Sequence, residues 1–143
     1  MTDDKRTEKY RKQITEVCDS KGLDYRIEVS AAPGDCTRIA REAAASGEEY
    51  RIYSCGGDGT LGEVVNGVVP LQNRPAIGYI PTGTTNDFSK NMGLTSDILM
   101  SIIDLNHGVV QELDVGRFNE KYFIYVASFG LFAESSYATP RNL

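Results

Sequence analysis

An α/β protein is the fold class this sequence predicts: a mostly parallel, helix-covered sheet followed by an antiparallel hairpin. Three observations predict it. Short apolar runs at residues 50–54 and 76–80 alternate with segments of helical period. Both runs lead into glycine-rich polar turns at residues 55–59 and 81–87. After Gly108 the helical period stops, and two strand-like runs follow with no helix between them.

Taken in order, residues 4–21 carry Tyr10, Ile14 and Val17 at helical spacing, with Gly22 as a stop signal. Tyr25, Ile27 and Val29 alternate with Arg26 and Glu28, the period of a strand. Residues 31–34 form a breaker loop, with Asp35 placed to cap a helix over residues 36–46. That helix turns Ile39, Ala40, Ala43 and Ala44 inward and ends at Gly47. The strand at 50–54, its glycine turn and a helix from about Thr60 come next, with Leu61, Val64, Val65 and Val68 facing the core. The strand at 76–80 runs into a second polar turn, 81–87, and one helical turn at 88–91. Gly93 breaks that turn, and a helix follows at 97–106. Residues 109–115 and 122–127 are the arms of the hairpin, with Asn119 in its turn. The order is thus αβαβαβα followed by ββ, with an α/β unit over 1–108 and a second layer or domain beginning at 109–143.

Composition narrows the classes. A chain of 143 residues can bury a real core, and 41% apolar with 24% charged residues is ordinary for a globular protein. A net charge of −5 argues against a nucleic-acid partner, which would want a basic face. No apolar run approaches the roughly 20 residues needed to span a bilayer, and no leader pattern opens the chain, so a cytoplasmic location is expected. Cys18, Cys36 and Cys55 lack metal-ligand spacing and read as buried or half-buried thiols in a reducing compartment.

The chemistry concentrates at Gly56, Gly57, Asp58, Gly59 and Thr60. A turn almost without side chains, opening onto a helix N-terminus, presents N–H groups to an anion at the positive end of the helix dipole. Asp58 would repel a phosphate unless a cation lay between them, which suggests a metal–nucleotide site. The alternative is a tight turn with Asp58 or Thr60 as a helix cap. Both polar turns lie at the carboxyl ends of strands, where ligands gather in such sheets. Asp58, Asp87 and Asp114 are the acidic groups able to hold a cation. Each also has a plainer reading, Asp58 as a turn residue, Asp87 as a helix cap and Asp114 as strand-end solvation. No Walker-type phosphate loop is present.

The sequence GGDGT with its LGEVVNG helix, then PTGTTNDF, then LDVG, resembles the diacylglycerol kinase catalytic domain, in particular its bacterial soluble branch. GGDGT alone is shared with NAD kinases and phosphofructokinases; the three motifs in order are specific. The resemblance implies ATP-dependent phosphorylation of a lipid hydroxyl with magnesium, on a lipid presented at a membrane surface, most often diacylglycerol. It implies that Gly56, Gly57, Asp58, Gly59 and Thr60 line the nucleotide phosphates, with Glu63 assisting. Thr84 would bind nucleotide, supported by Asn86 and Asp87, and Ser30 stands where the family often has a nucleotide-contacting threonine. Asp114 matches an aspartate that joins the two family domains near the site. Asp58, Asp87 and Asp114 are the metal candidates.

The chain departs from the family in three ways. Gly62 stands where Asn is usual, the opening strand with its Asn-Pro-x-Ser-Gly turn does not precede the first helix, and the chain stops near the start of the β-sandwich domain. The reading is therefore of a fragment truncated at both ends, inactive by itself, with its catalytic base expected beyond Leu143. A NAD-kinase-like enzyme and a nucleotide-binding module without turnover are the alternatives. Tyr122, Phe123, Tyr125, Phe129 and Phe132 read as core of the second domain, and their exposure would favour self-association into a homodimer. His107, the single histidine, reads as a helix C-terminal residue with no catalytic part.

Overall fold

The structure, a computed structural model, describes residues 4–125. Its elements are α1 (Asp4–Ser20), α2 (Asp35–Ala45), β1 (Ile52–Gly56), α3 (Asp58–Val68), β2 (Ile77–Pro81), α4 (Asp87–Asn91), α5 (Ile98–His107), β3 (Gly116–Phe118) and β4 (Lys121–Phe123). Strands β1 and β2 pair in parallel with Ile52 opposite Ile77 and Gly56 opposite Pro81, so both end at one edge, each opening into its polar turn. Helix α3 makes the crossover between them.

Alternation along β2 distributes the core. Tyr79 faces Leu61, Val65 and Phe88, whereas its neighbour Ile80 faces Ile98 and Ile102 of α5. Around the second group pack Tyr10, Ile14 and Val17, the stripe expected of α1. Ala40 of α2 meets Val64 and Val68 of α3 in a third group. The parallel pair therefore lies between α1 with α5 on one face and α3, backed by α2, on the other. Ile80 and Ile102 are each 1% exposed, and burying such a side chain contributes roughly 1.5–3 kcal/mol. Helices α2 and α3 approach closely at Gly67, where a Cβ would stand 2.5 Å from the Thr37 carbonyl oxygen.

Three local expectations are corrected. Residues 23–31 do not form a strand, and Val29 is 52% exposed. Alternation gives them the right period, but a strand needs a neighbour, and β1 pairs only with β2 among the described residues. The hairpin is shorter than expected: residues 109–115 are irregular and exposed, and pairing begins at Gly116 opposite Phe123. Its turn does place Asn119 at φ 52°, the left-handed region that asparagine tolerates. The end of the second arm, with Phe129 and Phe132, lies outside the described residues. Finally, Cys18 is buried and Cys36 half-buried, but Cys55 is exposed. Among the described residues no helix is long and apolar enough to cross a membrane.

Candidate phosphate-binding site

The two polar turns are in direct contact. The carbonyl oxygen of Gly56 accepts the N–H of both Thr82 (2.9 Å) and Gly83 (3.1 Å). A Cβ on Gly83 would lie 2.5 Å from the Cα of Gly57, so glycine is what lets the second turn rest against the first. Helix α3 starts earlier than the sequence suggests, at Asp58. Its N-cap, Gly57, is extended (φ −92°, ψ −176°) and offers no side-chain bond to the first turn. The leading N–H groups of a helix have no carbonyl within it, so this end is left open to an outside acceptor.

Both carboxylate oxygens of Asp58 are engaged. Its Oδ2 accepts the N–H of Asp87 at 2.9 Å and its Oδ1 the N–H of Phe88 at 3.2 Å, capping α4 from across the site. Glu63, farther along α3, does the same for α2. Its two oxygens accept the N–H of Gly34 (3.0 Å) and Cys36 (3.2 Å), and its carbonyl accepts the Thr37 hydroxyl at 2.9 Å. Each carboxylate satisfies two donors at the start of another helix, where negative charge is favoured.

Around this frame the remaining candidates fall into place. Asn86 sits at φ 51° and ψ 49°; its amide donates to the Gly83 carbonyl at 2.7 Å, and the Tyr79 hydroxyl donates to its Oδ1 at 3.3 Å. Burial, and then the neighbouring Asp58 carboxylate, push the Tyr79 phenol up to about 12, so the hydroxyl remains a donor. Thr84 and Gly59 are exposed at the rim, and Thr60 is half-buried. Asp87 pairs with Lys90 at 3.5 Å. Ser30 lies beside the Cys36 thiol in the loop that Glu63 holds. In the same loop Asp35 accepts the N–H of Ala31 and Ala32, which holds its carboxyl below the usual carboxylate range. Asp114 is exposed, and Asp58, Asp87 and Asp114 form no cluster of three metal-ligating side chains among the described residues.

Three contributors went unread in the sequence. Tyr79 looked like plain strand core. Asn66 of α3 donates to the Tyr122 carbonyl at 2.8 Å and accepts the Tyr122 N–H at 2.9 Å, fastening β4 to α3. Arg6 of α1 donates to the Thr82 carbonyl at 2.5 Å. The open helix end, the bare glycine contact and an adjacent cation make an arrangement that can receive phosphate oxygens.

The diacylglycerol kinase catalytic domain model matches residues 3–118. This chain belongs to the diacylglycerol kinase catalytic domain family. A diacylglycerol kinase of Bacillus subtilis strain 168 is 40% identical over 136 residues, covering 94% of this chain and 45% of the relative. One from Staphylococcus epidermidis strain RP62A is 44% identical over 110 residues, or 77% of this chain and 34% of the relative. A solved diacylglycerol kinase structure from Bacillus anthracis strain Sterne superposes with TM-score 0.61 at 37% identity, over 70% of this chain and 34% of that one. A further solved chain from that organism reaches TM-score 0.72 at 32% identity, covering 81% and 42%. The chain thus spans less than half the length of these family relatives.

Proposed function

We propose that the protein containing this chain transfers a phosphoryl group from ATP to a lipid hydroxyl, with diacylglycerol as the acceptor. The observation that supports this most directly is the contact between Gly57 and Gly83 at the uncapped start of α3, in a chain of the diacylglycerol kinase family. In this reading Gly56, Gly57, Gly59, Thr60 and Thr84 line the phosphates, and ATP supplies the phosphoryl group. Asp58, Glu63 and Asn86 hold the turns, loop and helices in register, and Ser30 and Asp87 lie on the elements so held. Positioning and charge neutralisation are most of what phosphoryl transfer asks of a protein.

The described residues suit a phosphate chain better than a bare magnesium ion. Both oxygens of Asp58 already accept backbone N–H groups, and no three-residue metal cluster is present among the described residues. Magnesium enters this reading as the ion the nucleotide carries, not as a resident of a carboxylate cage. In this reading β4, fastened to α3 by Asn66, opens the second layer, and the lipid is presented at a membrane surface.

The test has two arms. Titrating the 143-residue chain with magnesium–ATP should move amide signals at residues 57–63 and 83–87, with Kd of ~0.1–1 mM, about −4 to −5.5 kcal/mol. Gly83→Ala, which forces the turns apart, should abolish those shifts. The protein that contains this chain should convert diacylglycerol to labelled phosphatidic acid in mixed micelles. Shifts absent at several millimolar ATP, or label passing to NAD and not to lipid, would overturn the reading.

A further inference from the structure

The family motifs supply two glycine turns and no cation, and the sequence outside them places one beside the turns. Arg6 lies in the first described turn of α1, 76 residues from Thr82, yet its Nη2 donates to the Thr82 carbonyl at 2.5 Å. The guanidinium also lies over the Tyr10 ring, 5.6 Å from the centroid. A carbonyl at one edge and a ring at one face hold the group in place while using one of its five donors.

Of the eight described arginines four make an ion pair and four do not; Arg6, like Arg51 and Arg74, donates to a backbone carbonyl instead. Arg11, Arg26, Arg38 and Arg117 each lie within 4 Å of a carboxylate. Arg6 makes no ion pair with a described residue, although the nearby turns carry Asp58 and Asp87. Those two are already engaged, Asp58 by two backbone N–H groups and Asp87 by Lys90. Among the described residues the cation thus has no carboxylate partner on the turn whose Gly83 rests on Gly57. A guanidinium with free donors in a fixed fork matches a phosphate, which binds two of its N–H groups at once.

We propose that Arg6 is a phosphate-binding residue that contacts the phosphate chain of the nucleotide. This deepens the reading of the same site given above and rests on it. Arg6 brings to the open end of α3 the positive charge that the glycine turns lack, so that the anion is neutralised from α1 and from the two turns together. Its contact with Thr82 also couples the placement of α1 to the shape of the second turn.

The test titrates the 143-residue chain and its Arg6→Gln and Arg6→Lys variants with magnesium–ATP, inorganic tripolyphosphate and adenosine, at two salt concentrations. Arg6→Gln should weaken ATP and tripolyphosphate about tenfold, or about 1.4 kcal/mol, and flatten their salt dependence. It should leave adenosine binding unchanged. Arg6→Lys, which keeps the charge without the fork, should recover part of the loss. Equal ATP affinity in all three proteins overturns the assignment, as does an equal loss of ATP and adenosine, the mark of a structural tie. If Arg6→Gln spares ATP but reduces sedimentation with phosphatidylglycerol-containing vesicles relative to pure phosphatidylcholine, the cation serves a lipid headgroup and the nucleotide role is overturned. A wild-type chain that binds no ATP instead defeats the parent reading, and Arg6 falls with it.

Discussion

Oδ2 of Asp58 accepts the backbone N–H of Asp87 at 2.9 Å, so two acidic residues meet as acceptor and donor across 29 positions of sequence. The second oxygen takes the N–H of Phe88, and the pair of bonds fixes where α4 begins. Asp58→Ala should therefore lower stability by about 1–3 kcal/mol, because two part-buried donors lose a charged acceptor. Urea denaturation should show a lower midpoint with unchanged slope. A variant as stable as wild type but unable to bind ATP would assign Asp58 to the nucleotide and not to the frame.

Asn66 presents its amide to Tyr122 as one peptide group presents itself to another, donating at 2.8 Å and accepting at 2.9 Å. Asn66→Leu should cost about 1–3 kcal/mol and release the hairpin selectively, since both Tyr122 groups are left unpaired. Hydrogen exchange is the direct measurement: the Tyr122 amide should lose its protection while Ser54 and Ile80 keep theirs. Uniform loss across the sheet would mean that the hairpin does not open as a separate unit.

Tyr79 gives the fold an alkaline limit. Its phenol is raised to about 12 by burial first and by Asp58 second, against an ordinary value of 10. A raised acid favours its neutral form in the folded state. Its contribution is therefore complete below pH 10 and is lost as pH rises from 10 through about 12. Tyr79→Phe should flatten the fall in stability over that window while losing the bond to Asn86. A pH profile of the melting temperature that is the same with and without Tyr79 would contradict the assignment.

Much of this fold was legible because its signals are local. Period and punctuation located α1, α2, α5 and both parallel strands to within two residues, and Gly22, Gly47 and Gly93 stand at positive φ where the chain was expected to break. Failures came where partners decide. Residues 25–29 have the period of a strand without a neighbour, and residues 109–115 mix Val109, Val110, Leu113 and Val115 with polar residues and form no strand. At the site, the glycine turns could be read because bare backbone next to a helix start is a pattern in itself. The work of Asp58, Glu63 and Asn66 could not, since each side chain bonds backbone 27 to 56 positions away and leaves no mark on its own surroundings. The sequence offers Asp58 either as a cation-holding carboxylate or as a turn or cap residue, and its two oxygens accept the N–H groups of Asp87 and Phe88.

Helix α3 bonds three separate segments through Asp58, Glu63 and Asn66. Each residue of an α-helix turns the next by about 100°. One residue inserted between Asp58 and Glu63 would thus swing one of these side chains away from its partner, whichever end of the helix stayed put. Substitutions along α3 can be absorbed singly, but a change in its length cannot. Over evolutionary time this stretch should accept point changes such as Gly62 while keeping its residue count fixed, and the loops on either side should be where length varies.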